Sequence, residues 1–103
     1  MRKISRQASY EFYNGGKFNK SNTKVMNRRM FLFGHCIAEY INDYAIAFTM
    51  AGYPTVTTRE RLHTLGIPIR QVKGKQYVDE YLIDPNKWYR YDRIRRCIAP
   101  CTS

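Results

Sequence analysis

Phe31-Leu32-Phe33-Gly34-His35-Cys36-Ile37-Ala38-Glu39-Tyr40-Ile41-Asn42-Asp43-Tyr44-Ala45-Ile46-Ala47-Phe48-Thr49-Met50-Ala51 lies within residues 30–58, a segment without lysine or arginine. Asn42-Asp43 divides it, and both residue types suit a two-residue hairpin turn because they tolerate positive φ. Pairing outward from Ile41 with Tyr44 sets Ile37 opposite Phe48 and His35 opposite Met50. One face then carries Phe33, Ile37, Ile46, Phe48 and Met50, large enough to fill a core. The other carries Gly34, Cys36, Ala38, Ala45, Ala47 and Ala51, small enough for a helix backbone to approach. A helix over residues 37–50 competes, since Ile37, Tyr40, Ile41 and Tyr44 also keep helical spacing. The Asn42-Asp43 pair at its centre favours the hairpin, whose two strands span residues 23–51.

On the N-terminal side, Ile4, Ala8 and Phe12 recur every four residues, which predicts a short helix over 4–14. Gly15-Gly16 ends it in the left-handed conformation that glycine adopts freely. Lys17 to Asn22 reads as a polar turn. On the C-terminal side, Thr57-Thr58-Arg59-Glu60 has the form of a capping box, in which the Thr57 hydroxyl accepts the Glu60 backbone N–H. Leu62 and Leu65 give that helix its buried face, and Gly66 closes it over about two turns. Residues 67–83 read as a second hairpin, with Ile69 and Val78 on one face and Lys73-Gly74 at the tip. Asp84-Pro85-Asn86 is a turn. The expected fold is α+β: a single domain over residues 1–103 with element order α-β-β-α-β-β. Residues 1–22 form a basic helix and turn, 23–92 the core, and 93–103 a basic tail.

The chain holds 103 residues, of which 44% are hydrophobic, 25% charged and 15% aromatic. These proportions suit one small globular domain and leave no room for an enclosed cofactor cavity beside the core. No apolar run is long enough to span a membrane, and Met1-Arg2-Lys3 is not followed by the apolar core of a signal peptide. The expectation is a cytoplasmic protein with no membrane partner.

Charge is the strongest signal. Eighteen Lys+Arg against eight Asp+Glu give a net charge of +10. Residues 1–29 carry eight basic side chains and one acidic, and residues 59–75 carry five and one. Such a balance points to a polyanionic partner, foremost nucleic acid, DNA or RNA. The candidate contact residues are Arg59, Arg61, Arg70, Lys73 and Lys75, with Arg2, Lys3, Arg6, Lys17 and Lys20 as a second group. Tyrosines interleave with cations over residues 10–20 and 87–96, a pattern that serves base stacking combined with backbone contact.

Catalytic constellations are absent from the sequence pattern, so no enzyme activity is expected. Cys36 adjoins His35, but neighbours on a strand point to opposite faces. Asp79, Glu80 and Asp84 sit among cations and read as solvated surface. Cys36, Cys97 and Cys101 are odd in number and lack paired metal-ligand spacing, so reduced thiols and no metal or cofactor are expected.

Two resemblances add to this reading. The helix at 57–65 followed at once by a basic-tipped hairpin is similar to the second half of a winged helix, over Val56 to Leu82. That likeness implies a helix in the major groove, carrying Arg59 and Arg61, and a wing on the phosphates, carrying Arg70, Lys73 and Lys75. The segments Ser21-Asn22-Thr23-x-Val25, Phe33-Gly34-His35-x-Ile37-Ala38 and Ala51-Gly52-Tyr53-Pro54-Thr55-x-Thr57-Thr58-Arg59-Glu60-Arg61-Leu62 resemble small bacteriophage-type proteins that have no agreed activity. This second resemblance implies a protein made in the host cytoplasm during infection. It would bind nucleic acid, or alternatively act as an inhibitor or adaptor on a host protein.

Overall fold

The 31–51 stretch is β-structure with one turn more than the sequence reading gives it, and that turn sets the architecture. Asn27-Arg28 and Phe33-Gly34 each form a two-residue turn with both φ positive, 52° and 56° in the first, 51° and 81° in the second. Turns of this hand match the right-handed twist of antiparallel strands. In the computed structural model, which describes residues 2–101, these two turns and a third at Asp43-Tyr44 divide residues 23–48 into β2 (Thr23–Met26), β3 (Arg29–Leu32), β4 (His35–Asn42) and β5 (Ala45–Phe48). Met1, Thr102 and Ser103 lie outside the described residues, as do the side chains of Arg2 and Lys3, both candidate contact residues.

The α+β order of six elements is therefore corrected. Ten strands and two helices make up the described residues. The region expected as a polar turn holds β1 (Phe18–Lys20), and the region expected as core end and tail holds β9 (Tyr89–Asp92) and β10 (Cys97–Pro100). An antiparallel seven-stranded sheet runs β1-β2-β3-β4-β5-β9-β10. Between β5 and β9 the chain leaves this sheet to form α2 (Val56–Thr64) and a second, three-stranded sheet of β6 (Ile69–Val72), β7 (Lys75–Val78) and β8 (Tyr81–Ile83). The second hairpin is thus present with Ile69 and Val78 on one face and Lys73-Gly74 at the tip, as expected; the two residues are direct cross-strand partners, and the hairpin gains a third strand. A winged helix requires a pair of helices before the recognition helix, whereas here β5 precedes α2.

The first hairpin also differs in register. Ala38, not Ile37, lies opposite Phe48, and Asn42 lies opposite Ala45. The turn residues are consequently Asp43 and Tyr44, and the Asn42 carboxamide oxygen accepts the N–H of Tyr44 at 3.0 Å and of Ala45 at 2.8 Å. Asn42 shapes the turn through its side chain rather than through positive φ. The register shifts twice along β4, next to Ile37 and next to Ile41. A bulge of this kind adds a residue and interrupts strict alternation, so consecutive Ile37 and Ala38 are both buried.

The helix α1 (Arg2–Asn14) lays Ala8 and Phe12 into the core as its spacing predicts, and Gly15 follows it at φ 77°. Leu62 and Leu65 from the α2 region, Ile69 and Val78 from the small sheet, and Met30, Ile46 and Phe48 from the large sheet complete one cluster. Cross-strand partners Lys24 and Phe31, Arg29 and Glu39, and Ala47 and Arg90 occupy the opposite face of the large sheet.

Gly66 closes α2 at φ 104° as expected, but the N-cap is Thr55, whose hydroxyl accepts the Thr58 N–H at 3.2 Å. The Glu60 carboxylate, rather than reaching back to the cap, meets Arg61 and Ser5. Thr55→Ala is expected to cost about 0.5–2 kcal/mol in chemical denaturation, and Thr57→Ala distinctly less. The reverse order would move the cap to Thr57.

In the turn between β9 and β10, the Asp92 carboxylate accepts the N–H of Arg95 and of Ile94, each at 2.9 Å. The Arg95 bond foremost, then the Ile94 bond, holds the carboxyl below its usual range. Its contribution to stability is present at neutral pH and disappears as pH falls through that lowered value. An NMR titration should give Asp92 a midpoint below that of an ordinary aspartate, and a normal midpoint would show that these bonds do not persist in solution.

Candidate nucleic-acid interface

Four of the cations singled out in the sequence come together at the small sheet. Lys73 (φ 51°) and Gly74 (φ 79°) form the tip between β6 and β7. Arg70, Lys73 and Lys75 are exposed around it. The Arg70 guanidinium lies over the Tyr77 ring at 5.1 Å and donates to the Asp79 carbonyl at 2.9 Å, which holds it on the outer face. Arg59, one turn into α2, donates to the Pro54 carbonyl at 3.1 Å, to Gln71 Oε1 at 3.2 Å and to Gln76 Oε1 at 3.0 Å. Gln76 Nε2 in turn donates to Gln71 Oε1 at 2.7 Å. Helix and hairpin are thereby fixed to each other through the Gln71–Gln76 face of the small sheet, while Arg70 and Lys75 extend from its opposite face and Lys73 sits at the tip.

Arg61 does not belong to that surface. It is 1% exposed. Its guanidinium donates to Thr23 Oγ1 at 2.9 Å, Ser5 Oγ at 2.7 Å, Glu60 Oε1 at 2.5 Å and Asn22 Oδ1 at 3.2 Å. Every one of these contacts is internal, so no phosphate reaches it. Arg6 on α1, Lys17 just before β1 and Lys20 at its end are exposed on a different part of the surface, along the edge of the large sheet. Among the described residues only two ion pairs form, Arg29–Glu39 at 3.5 Å and Arg61–Glu60 at 2.5 Å. Arg59, Arg70, Lys73 and Lys75 carry their charge without a carboxylate partner.

Sequence reasoning misses two clusters. Arg28 lies over the Tyr40 ring at 4.2 Å and Arg93 over the Tyr13 ring at 4.5 Å, with the two tyrosine rings 6.1 Å apart. Tyr13 donates to the Leu65 carbonyl at 2.5 Å, and burial pushes its phenol above the usual value. Residues so distant in the chain give no local signal of this meeting. The second cluster is aromatic and exposed. Phe33, expected in the core, is 69% exposed in its turn, and Tyr53 is 53% exposed. The His35 and Tyr53 rings stand 5.1 Å apart. The Phe33-Gly34 dipeptide, with glycine in second position, is the signal that marks this turn.

Other candidates for chemistry stay apart. His63 Nε2 meets the Ile69 carbonyl. Cys36 is half-buried, and burial raises its thiol pKa; Cys97 and Cys101 are exposed. Among the described residues, no group of three or more His, Cys, Asp or Glu side chains is arranged to hold a metal ion. No helix of the described residues is long and apolar enough to cross a membrane.

A family model described as Kyanoviridae Gp96 protein matches residues 1–94. No curated protein and no solved structure matches the chain.

Proposed function

The chain belongs to the Kyanoviridae Gp96 protein family of phage proteins, and from that premise we propose that it binds nucleic acid through the cations around the β6–β7 hairpin. The observation that carries this reading is the exposed set of Arg70, Lys73 and Lys75 around the hairpin, with Arg59 behind it against Gln71 and Gln76, none of them paired with a carboxylate. In a chain of net charge +10, such a surface attracts phosphates and releases their counterions. The exposed guanidinium of Arg70, positioned over Tyr77, is of the type that contacts phosphate in bidentate fashion.

The test is fluorescence anisotropy with labelled single- and double-stranded DNA and RNA. If 6–10 phosphates are contacted, affinity is expected to fall about 10³–10⁵-fold between 50 and 200 mM salt. Folded protein that binds none of the four at 50 mM salt overturns the proposal. The triple variant Arg70→Gln, Lys73→Gln, Lys75→Gln should bind more weakly with a shallower salt slope, while its stability stays within about half a kcal/mol.

A second reading, an inhibitor or adaptor on a host protein, is favoured by one observation. Val72 and Leu82 are 40% and 53% exposed on the small sheet, where bare apolar side chains suit a protein partner. A stoichiometric protein captured from nuclease-treated lysate, and lost with Val72→Ser and Leu82→Ser together, would favour it.

A further inference from the structure

Phe33 occupies a position for which its side chain is poorly suited. It sits at φ 51° in the turn between β3 and β4, where asparagine, aspartate or glycine meets the least steric resistance. It gains no burial in return, being 69% exposed. Its backbone is nevertheless fixed, because the Phe33 N–H donates to the Asn22 carbonyl at 2.8 Å and so locks this turn to the neighbouring one. A bulky residue held in a disfavoured conformation with its ring in solvent is a pointer to function.

The ring stands as a ridge between two depressions. On one side is a cleft of about 300 Å³, at the lower end of ligand-site volumes, with buried Leu32, Ile37 and Met50 as its floor and His35 and Tyr53 as its wall. On the other is a wider groove of about 610 Å³ along β1–β3, which holds Phe31 and its cross-strand partner Lys24. Phe33 is the residue the two depressions share: Tyr53 and His35 lie beyond it on the core-side face of the sheet, and Phe31 with Lys24 beside it on the opposite face, around the turn. Lys20 ends the neighbouring strand and is exposed. No carboxylate lines either depression.

We infer that this track takes unpaired nucleobases, one in the cleft between Phe33 and Tyr53 and the next against Phe31, so that the protein prefers single-stranded over duplex nucleic acid. The inference rests on the nucleic-acid reading above and adds the ligand's form to it. Exposed rings over an apolar floor call for a flat apolar partner, and every base has a π-face to offer. The cations and the absence of carboxylates call for that partner to carry negative charge. A duplex keeps its bases stacked on each other and cannot present them to the cleft.

The experiment uses the full chain with a fluorescein-labelled single-stranded oligonucleotide and with the matching duplex, at 50 mM salt. Phe33→Asn is the main variant because asparagine fits the positive φ of the turn, so its melting temperature should equal or exceed that of the wild type. Tyr53→Ala is the second. Each is expected to weaken single-strand binding about tenfold, as loss of one stacking ring does, and to leave duplex binding and the salt slope unchanged. An oligonucleotide carrying 2-aminopurine should show changed fluorescence on binding wild type and less change with Phe33→Asn. Wild-type affinity for duplex equal to that for single strand overturns the inference and leaves the nucleic-acid reading intact. Unaltered single-strand binding by both variants does the same. Absence of binding to either form overturns both. A protein partner that survives nuclease treatment and is lost with Phe33→Asn would assign the cleft to a peptide instead.

Discussion

Arg61→Met lowers the melting temperature by about 10–20 °C, the value that a loss of about 3 kcal/mol gives in a domain of this size. The guanidinium joins three elements at once: Ser5 of α1, Asn22 and Thr23 at the start of β2, and Glu60 of its own helix. Methionine fills much of the same volume but donates nothing, so these acceptors are left in the interior without their partner. Removing one member of a buried pair costs about 3–5 kcal/mol, and the lower end applies because the Glu60 side chain keeps 24% exposure. Arg61→Lys retains the charge but not the planar fork, and should recover only part of the loss. Circular dichroism melts of the three proteins decide the matter. A methionine variant within about 1 kcal/mol of wild type would show that the network stabilises little beyond its packing.

A chain shortened to residues 1–87 loses cooperative folding altogether. The cut removes β9, which is hydrogen-bonded to β5 on one side and to β10 on the other. Tyr89 and Tyr91, both almost fully buried, leave with it, and the cover over Ile46 and Phe48 is reduced. Burial of a large side chain contributes about 1.5–3 kcal/mol, so two tyrosines and a doubly paired strand approach the whole stability of about 5–15 kcal/mol for a small domain. A chain of residues 1–92 keeps β9 and loses β10 together with Arg93 and its place over Tyr13, so it should fold with reduced stability. Urea denaturation followed by tryptophan-independent circular dichroism compares the two. A sigmoidal transition in the shorter chain would mean that β1–β5 and the helices form a core without β9.

Local chemistry was legible wherever one residue type dictates a backbone state. Gly66 after α2, Gly15 after α1 and Lys73-Gly74 between β6 and β7 each stand where the sequence places them. The four-residue spacing of Ala8 and Phe12 identifies the buried face of α1 for the same reason. The strand count differs because the apolar alternation runs through Asn27-Arg28 and Phe33-Gly34, whose bulky Arg28 and Phe33 mask the turn signal of the neighbouring Asn27 and Gly34, so four strands stand where the sequence pattern predicts two. The tail failed because Tyr89-Arg90-Tyr91 alternates in the manner of an inner strand, while the arginines beyond it suggest free surface. Among the candidate contact residues, Arg70, Lys73 and Lys75 lie together at the hairpin, as their proximity in the chain implies, whereas Arg59 lies against the Gln71–Gln76 face. Arg61 joins neither, and a charge count carries no information on which guanidinium meets internal acceptors. Thr55 and Thr57 are both capping residue types two positions apart, and only the path of the 50–55 loop selects between them.

The order of the large sheet has a consequence in time. Strands β1 to β5 follow one another as neighbours, so each pairs with chain that has just been made. The next partner in space is β9, with Ile46 waiting for Tyr91 until α2 and the entire small sheet have been synthesised. Through that interval β5 presents an unpaired edge bearing Ile46 and Phe48, the kind of edge on which a second chain can template itself. Closing the sheet late also raises the mean sequence separation of its contacts, which slows folding relative to an uninterrupted meander of equal size. The longer β9 takes to arrive, the longer β5 stays open to pairing with a neighbouring chain.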